Sequence, residues 1–269
     1  MAQFTVIDGR NVKVCTAPEQ VQRSVMTVDW TTFQVLAVLF FATVIRSAFG
    51  FGAALIAVPL LALLMPVSVA VPVAVLISIT VAVFLLALDW RHVHVRSAGW
   101  LVLSTLAGMP LGLLLLTQVP EGIVKVCLGT VIIAFSGFLL FRRHQPLLTN
   151  DNFTPIFGFV AGILGGAYGM NGPPLVLFGT LRGWSPLHFR ATLQGYFLPA
   201  SILTMTGYWL TGLWKPVVTH YYVIALPVVM VAIGLGRVIS GRMNERVFHR
   251  FVHVGLIVIG TVLVWQSIR

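Results

Sequence analysis

Arg46 is the residue in this chain whose position most invites chemistry. It follows the apolar run Phe33 to Ile45 and comes just before Gly50, in a sequence that is 58% hydrophobic and 9% charged. An arginine near the centre of a bilayer is costly unless something meets its charge. Three roles fit: the guanidinium takes up carbonyls freed by a broken helix, snorkels to water, or binds an anion. Arg190, in Leu187-His188-Phe189-Arg190-Ala191-Thr192-Leu193-Gln194, is a second cationic candidate, or else a marker of the cytoplasmic side. Asn171, Thr192 and Gln194 can add neutral hydrogen bonds, although an asparagine at position 171 would serve equally to cap a broken backbone.

These side chains sit beside backbone that cannot stay helical. Gly158, Gly162 and Gly166 recur at a four-residue spacing that lets another backbone approach along one ridge. Between Gly165 and Pro174 further glycines and two prolines then interrupt the i to i−4 bonding. Backbone groups freed inside a membrane must face protein, water or a ligand. A shift of about 119 residues lays Phe40 to Gly50 on Phe159 to Gly169, and Val67 to Leu88 on Pro186 to Gly207, so the chain reads as a duplication. Interrupted hydrophobic segments at matching places in two halves point to the binding site of a transporter. A short helix starting after Gly52 or Gly172 would turn its N-terminal N–H groups toward the middle of the protein, which favours an oxyanion. The candidate site is therefore Arg46, Phe49, Gly50, Gly52, Tyr168, Gly169, Asn171, Gly172, Arg190 and Gln194.

Other chemistries find little support. The acidic residues Asp8, Glu19, Asp29, Asp89, Glu121, Asp151 and Glu245 all fall outside or at the edge of an apolar run. A cation path normally carries carboxylates within the membrane, so a cation substrate is disfavoured and Asp89 is the one candidate proton carrier. His92 and His94, and His249 and His253, have metal-like spacing but no acidic or thiol companion, so no metal is expected. Cys15 and Cys127 make no disulfide or metal pattern. No nucleotide loop, nucleophile elbow or zinc-protease motif occurs, so neither a cofactor nor an enzyme activity is expected. The formal net charge is +10. The basic residues lie mainly between hydrophobic runs, as in cytoplasmic loops, which removes the reason to invoke nucleic acid.

The elements that must position the site are membrane helices. Hydropathy marks about eight apolar regions, each near the length that spans a bilayer: 33–65, 67–88, 98–116, 122–141, 153–181, 187–213, 217–238 and 248–265. The first and fifth contain the breaks, and each is long enough for two short helices or for one crossing with a partial re-entry. If all regions cross once, the halves are parallel and the arginine clusters fall on opposite sides. If each broken region turns back, the arginines share the cytoplasmic side, the halves are inverted and both termini lie outside; this is the preferred arrangement. The expected fold is thus an all-α polytopic membrane protein, with residues 1–29 a polar and disordered extension, 30–141 the first repeat, 142–152 a connecting loop and 153–269 the second repeat. Gly108 and Gly112 have a spacing for close helix packing, or flank a proline kink at Pro110.

Three stretches resemble one family: Ala48-Phe49-Gly50-Phe51-Gly52-Ala53-Ala54-Leu55-Ile56-Ala57-Val58-Pro59-Leu60-Leu61, Gly158 to Pro174, and Phe189-Arg190-Ala191-Thr192. The chain is similar across Trp30 to Trp265 to the TauE/SafE family of sulfite and organosulfonate exporters, also called the 4-toluene sulfonate uptake permeases. It departs from the usual glycine run at Ala53 and Ala54, and at Asn171, Pro173 and Pro174. The resemblance implies a multi-pass permease of the plasma membrane for a small, often sulfur-containing anion. Its partners would be that anion and the bilayer, with self-association left open. An uncoupled anion channel is the alternative, and an intramembrane enzyme a more distant one.

Overall fold

The computed structural model describes residues 3–8, 11–16, 30–89, 95–141, 153–182 and 186–240, and helical residues at 257–258, 260–262 and 264–265. The connecting loop expected at 142–152 and the arginines from 242 to 250 lie outside the described residues, as does most of the last apolar region.

Two strands, β1 (Gln3–Asp8) and β2 (Asn11–Thr16), pair antiparallel with Gln3 opposite Thr16 and Asp8 opposite Asn11. Part of the N-terminal extension is thus a β-hairpin. Thr5, Val6 and Ile7 face a run containing Val12 and Val14, and β-branched residues of this kind suit a pleated ladder.

The membrane part is helical throughout: α1 (Trp30–Phe49), α2 (Ala53–Leu64), α3 (Val67–Asp89), α4 (Val95–Gln118), α5 (Glu121–Phe141), α6 (Thr154–Tyr168), α7 (Gly172–Leu181), α8 (Pro186–Leu210) and α9 (Pro216–Ser240). Among the described residues, five stretches are long and apolar enough to cross a membrane: Trp30–Phe49, Val67–Leu88, Ala98–Gln118, Glu121–Phe138 and Pro216–Ile239. The first and fifth apolar regions are each two helices, as their glycines predict. The second member of each pair is short. With 12 residues in α2 and 10 in α7, their lengths come to about 18 and 15 Å, against the roughly 30 Å of a hydrocarbon core.

The duplication is visible element by element. Phe49 and Tyr168 end α1 and α6, Ala53 and Gly172 begin α2 and α7, and Val67 and Pro186 begin α3 and α8, with one separation common to all three pairs. Packing follows the same relation. Helix α1 lies against α9, the fourth helix of the other half, and α6 lies against α4 in turn; α3 and α8 meet between them. The halves thus interlock, each lending its opening helix to the other.

The α4–α6 contact is backbone against backbone. A Cβ on Gly108 would collide with the carbonyl of Phe159, and one on Gly112 with that of Ile163. From the other side a Cβ on Gly158 would come within 2.6 Å of the Leu101 carbonyl, and one on Gly162 within 2.5 Å of that of Thr105. Lipid tails give little drive for burying apolar surface, so this close approach is where dispersion attraction between membrane helices is strongest. One polar contact fixes it further: Thr105 Oγ1 of α4 lies 3.1 Å from the Gly158 carbonyl of α6, besides bonding the Leu101 carbonyl of its own helix at 2.8 Å.

Candidate functional site

Both helix breaks are made by glycines with positive φ. Gly50 at 85° and Gly52 at 97° interrupt the chain between α1 and α2, and Gly169 at 64° ends α6. At Gly169 the N–H groups turn back on the helix, from Gly169 to the Gly165 carbonyl at 2.8 Å and from Met170 to that of Leu164 at 3.1 Å. Tyr208 of α8 then covers the carbonyls of Gly165 and Gly166, at 3.1 and 2.9 Å. The first break has the matching bond, from the Gly50 N–H to the Arg46 carbonyl at 2.6 Å, but a different partner for its freed carbonyl. Its Gly50 carbonyl accepts from Gln194 Nε2 at 2.5 Å, a side chain from the opposite half.

The two breaks come together around one small cavity. Arg46, Phe51, Gly52, Ala53, Ala54, Leu55 and Ser78 line it from the first half with Phe135 of α5, and Gly169 to Pro173 with Phe197 line it from the second. Its volume is about 20 Å³, room for roughly one water. A larger, open groove of about 830 Å³ lies at the α8–α9 turn, lined by Trp209, Trp214, Lys215 and His220 among others. It touches neither break, and its exposed tryptophans suit a membrane-interface belt better than an enclosed site.

Arg46 dominates the small cavity. Its side chain is 3% exposed and meets no carboxylate, the one ion pair among the described residues being Lys125 with Glu121. Nη1 donates to Ser78 Oγ, and Nη2 to Gln194 Oε1 at 3.2 Å. The guanidinium lies 4.9 Å from the Phe197 ring centroid, within cation–π range. Nε has no partner. Ser78 in turn lies 3.4 Å from Ser201 Oγ. The adjoining α2 begins at Gly52 without a side-chain cap, so the positive end of its dipole opens on the same space. Helix α7 is a poorer donor, because Pro173 and Pro174 remove two N–H groups from its first turn.

Of the residues singled out from sequence, Arg46, Gly52, Gly169, Asn171 and Gly172 line the cavity. Gly50 and Gln194 join it through the bonds above. Phe49 is buried but is not part of the lining, and Tyr168 turns its hydroxyl away to the Val124 carbonyl at 3.2 Å. Arg190 belongs to α8, and its side chain lies outside the described residues, as does that of Asp89. Asn171 is held from behind: its Nδ2 lies 3.4 Å from the Tyr196 hydroxyl, which lies 2.6 Å from Thr105 Oγ1. Sequence reasoning missed Ser78, Phe197, Tyr196 and Thr105. Ser78 carried a usable signal, as one of two hydroxyls, with Thr80, in the middle of the apolar run Val67 to Leu88. Phe197 and Tyr196 carried none, being aromatic residues in an apolar helix. No cluster of metal-binding side chains occurs among the described residues.

What the arrangement can do is hold a small negative group. One desolvated cation, an uncapped helix start and neutral amide and hydroxyl groups converge without an acid to compete, a combination suited to an oxyanion. Comparison with known proteins points the same way. The chain is 28% identical over 184 residues to "Probable sulfite/organosulfonate exporter TauE" of Cupriavidus necator, a match covering 67% of this chain and 70% of that one. No solved structure matches. The family model described as "Sulfite exporter TauE/SafE" matches residues 35–263. That span takes in both breaks, Arg46 and Gln194, and the chain belongs to the TauE/SafE sulfite exporter family.

Proposed function

We propose that this multi-pass membrane protein is a secondary permease that moves a small sulfur oxyanion, sulfite or a sulfonate, across the plasma membrane. The observation that carries the reading is Arg46, buried at the meeting point of both breaks with no acidic partner among the described residues. Burying a lone arginine in the membrane costs about 3 kcal/mol on insertion scales, which a bound anion would offset. The matched relative is named for the same chemistry.

The cavity of about 20 Å³ is too small for such an anion, so the side chains around Arg46 must part before it enters. That suits a carrier which closes around an empty site between two open states. The short α2 and α7, each about half the length that spans a bilayer, support an inverted arrangement in which each broken region returns to the side it came from.

The test is a thermal-shift screen of the detergent-purified protein against sulfite, sulfate, thiosulfate and simple sulfonates, followed by flux in proteoliposomes. A ligand at a hundred times its Kd stabilises the folded state by about 2.7 kcal/mol, a readable shift. Stabilisation by sulfite or a sulfonate, with saturable flux of the same anion, is the expected result. No shift with any anion and no flux would overturn the assignment.

A further inference from the structure

Beyond the residues that touch the anion, the arrangement around Arg46 carries information about how the anion is met. A guanidinium offers its donors along edges, and two of its three nitrogens are already engaged: Nη1 by Ser78 and Nη2 by Gln194. Phe197 covers one face. Three of its five N–H groups lie outside those two bonds, among them the Nε–H, buried with no partner among the described residues, on a side chain that lines the cavity with the uncapped first turn of α2.

The duplication adds a second observation. Under the shift that superposes the helix ends, Ser78 and Phe197 are each other's counterparts, one from α3 and one from α8. Both converge on Arg46. Arg46 itself corresponds to Gly165, Gln194 to Val75, and Gly50 to Gly169. The geometry of the pairs is retained, for Val75 crowds Gly169 as Gln194 reaches Gly50: a Cβ on Gly169 would lie 2.7 Å from Val75 Cγ2. The chemistry is not retained. The second break has an apolar neighbour, a glycine where the cation would stand, and the Asn171 side chain within 2.7 Å of a Cβ placed there.

Resting on the anion-carrier reading above, the geometry points to Gln194 and Ser78 as positioning residues that hold the Arg46 guanidinium so that its Nε edge meets one oxyanion per chain, at the first break only. Gln194 does so as a bridge between halves. Its amide oxygen accepts from Arg46 while its amide nitrogen is anchored on the Gly50 carbonyl, which fixes the orientation of the amide and leaves the cation unneutralised. A glutamate at this position would be nearly the same shape, but would pair with Arg46 and cancel the charge the anion needs.

The experiment measures binding of methanesulfonate and of sulfite to the detergent-purified full chain by titration calorimetry, with melting temperature in the absence of anion recorded for each variant. Wild type is expected to bind one anion per chain. Gln194→Glu, which gives up the bond to the Gly50 carbonyl, is expected to lower the anion-free melting temperature and to lose affinity by about a hundredfold. Ser78→Ala is expected to bind about tenfold more weakly, with Ser78→Thr restoring most of the loss. Arg46→Lys retains the charge without the planar edge and should also bind about tenfold more weakly. Near-wild-type affinity in both Gln194→Glu and Ser78→Ala, or two anions per chain, would overturn the positioning role while leaving the carrier reading intact. If Gln194→Glu does not fold, the Ser78→Ala and Ser78→Thr pair decides the question. Failure of wild type to bind either anion would remove the carrier reading, and this inference with it.

Discussion

Gln194 Nε2 donates to the Gly50 carbonyl at 2.5 Å, so that a side chain of the second half closes the backbone break of the first. The bond links the two halves of the chain. Its acceptor is a carbonyl that α1 itself cannot satisfy, because Gly50 at φ 85° ends the helix there. Satisfaction of the break and attachment of the halves are therefore one interaction.

Replacing Arg46 by Gln should reduce anion flux in proteoliposomes by about a hundredfold, because a charge-assisted contact to the substrate is worth roughly 1.5–3 kcal/mol. Folded yield should hold or rise, since the substitution removes a buried charge with no acid opposite it among the described residues. Flux at the wild-type rate would remove Arg46 from the site.

The glycines of the breaks should differ in their tolerance. Gly169→Val faces both a positive φ of 64° and a Cβ within 2.7 Å of Val75 Cγ2, and should lower folded yield and abolish flux. Gly172→Ala meets only the Phe197 ring at 3.9 Å, so it should fold normally. Size-exclusion profiles and flux of the two variants provide the comparison.

At the α4–α6 contact, Gly162→Ala puts a methyl within 2.5 Å of the Thr105 carbonyl. The helices must separate, and thermal unfolding in detergent should show a loss of about 1–3 kcal/mol. Gly137→Ala on α5, with nothing within 4 Å of the added carbon, should be neutral or slightly stabilising.

Tyr208→Phe leaves the Gly165 and Gly166 carbonyls without their hydroxyl donor. A cost of about 1–3 kcal/mol in thermal stability is expected, read by the same unfolding assay. Because the hydroxyl does not line the cavity, anion affinity should change much less than stability does.

The sequence alone determined where the helices had to break and that the two halves correspond. Glycines and prolines act on the backbone of their own segment, so Gly50, Gly52, Gly169 and Pro173 can be read without knowledge of any partner. The cost of an arginine in an apolar run is likewise visible in one dimension, which is why Arg46 stood out. Only the tertiary structure decided what surrounds it. Ser78, Gln194 and Phe197 come from α3 and α8, far along the chain, and which face of an apolar membrane helix turns inward is weakly marked when lipid and protein interior are equally apolar. Tyr168 shows the converse, for it sits within the glycine-rich motif yet points its hydroxyl at Val124. A motif fixes the path of the backbone, and the packing of the interlocked halves selects which side chains reach the cavity.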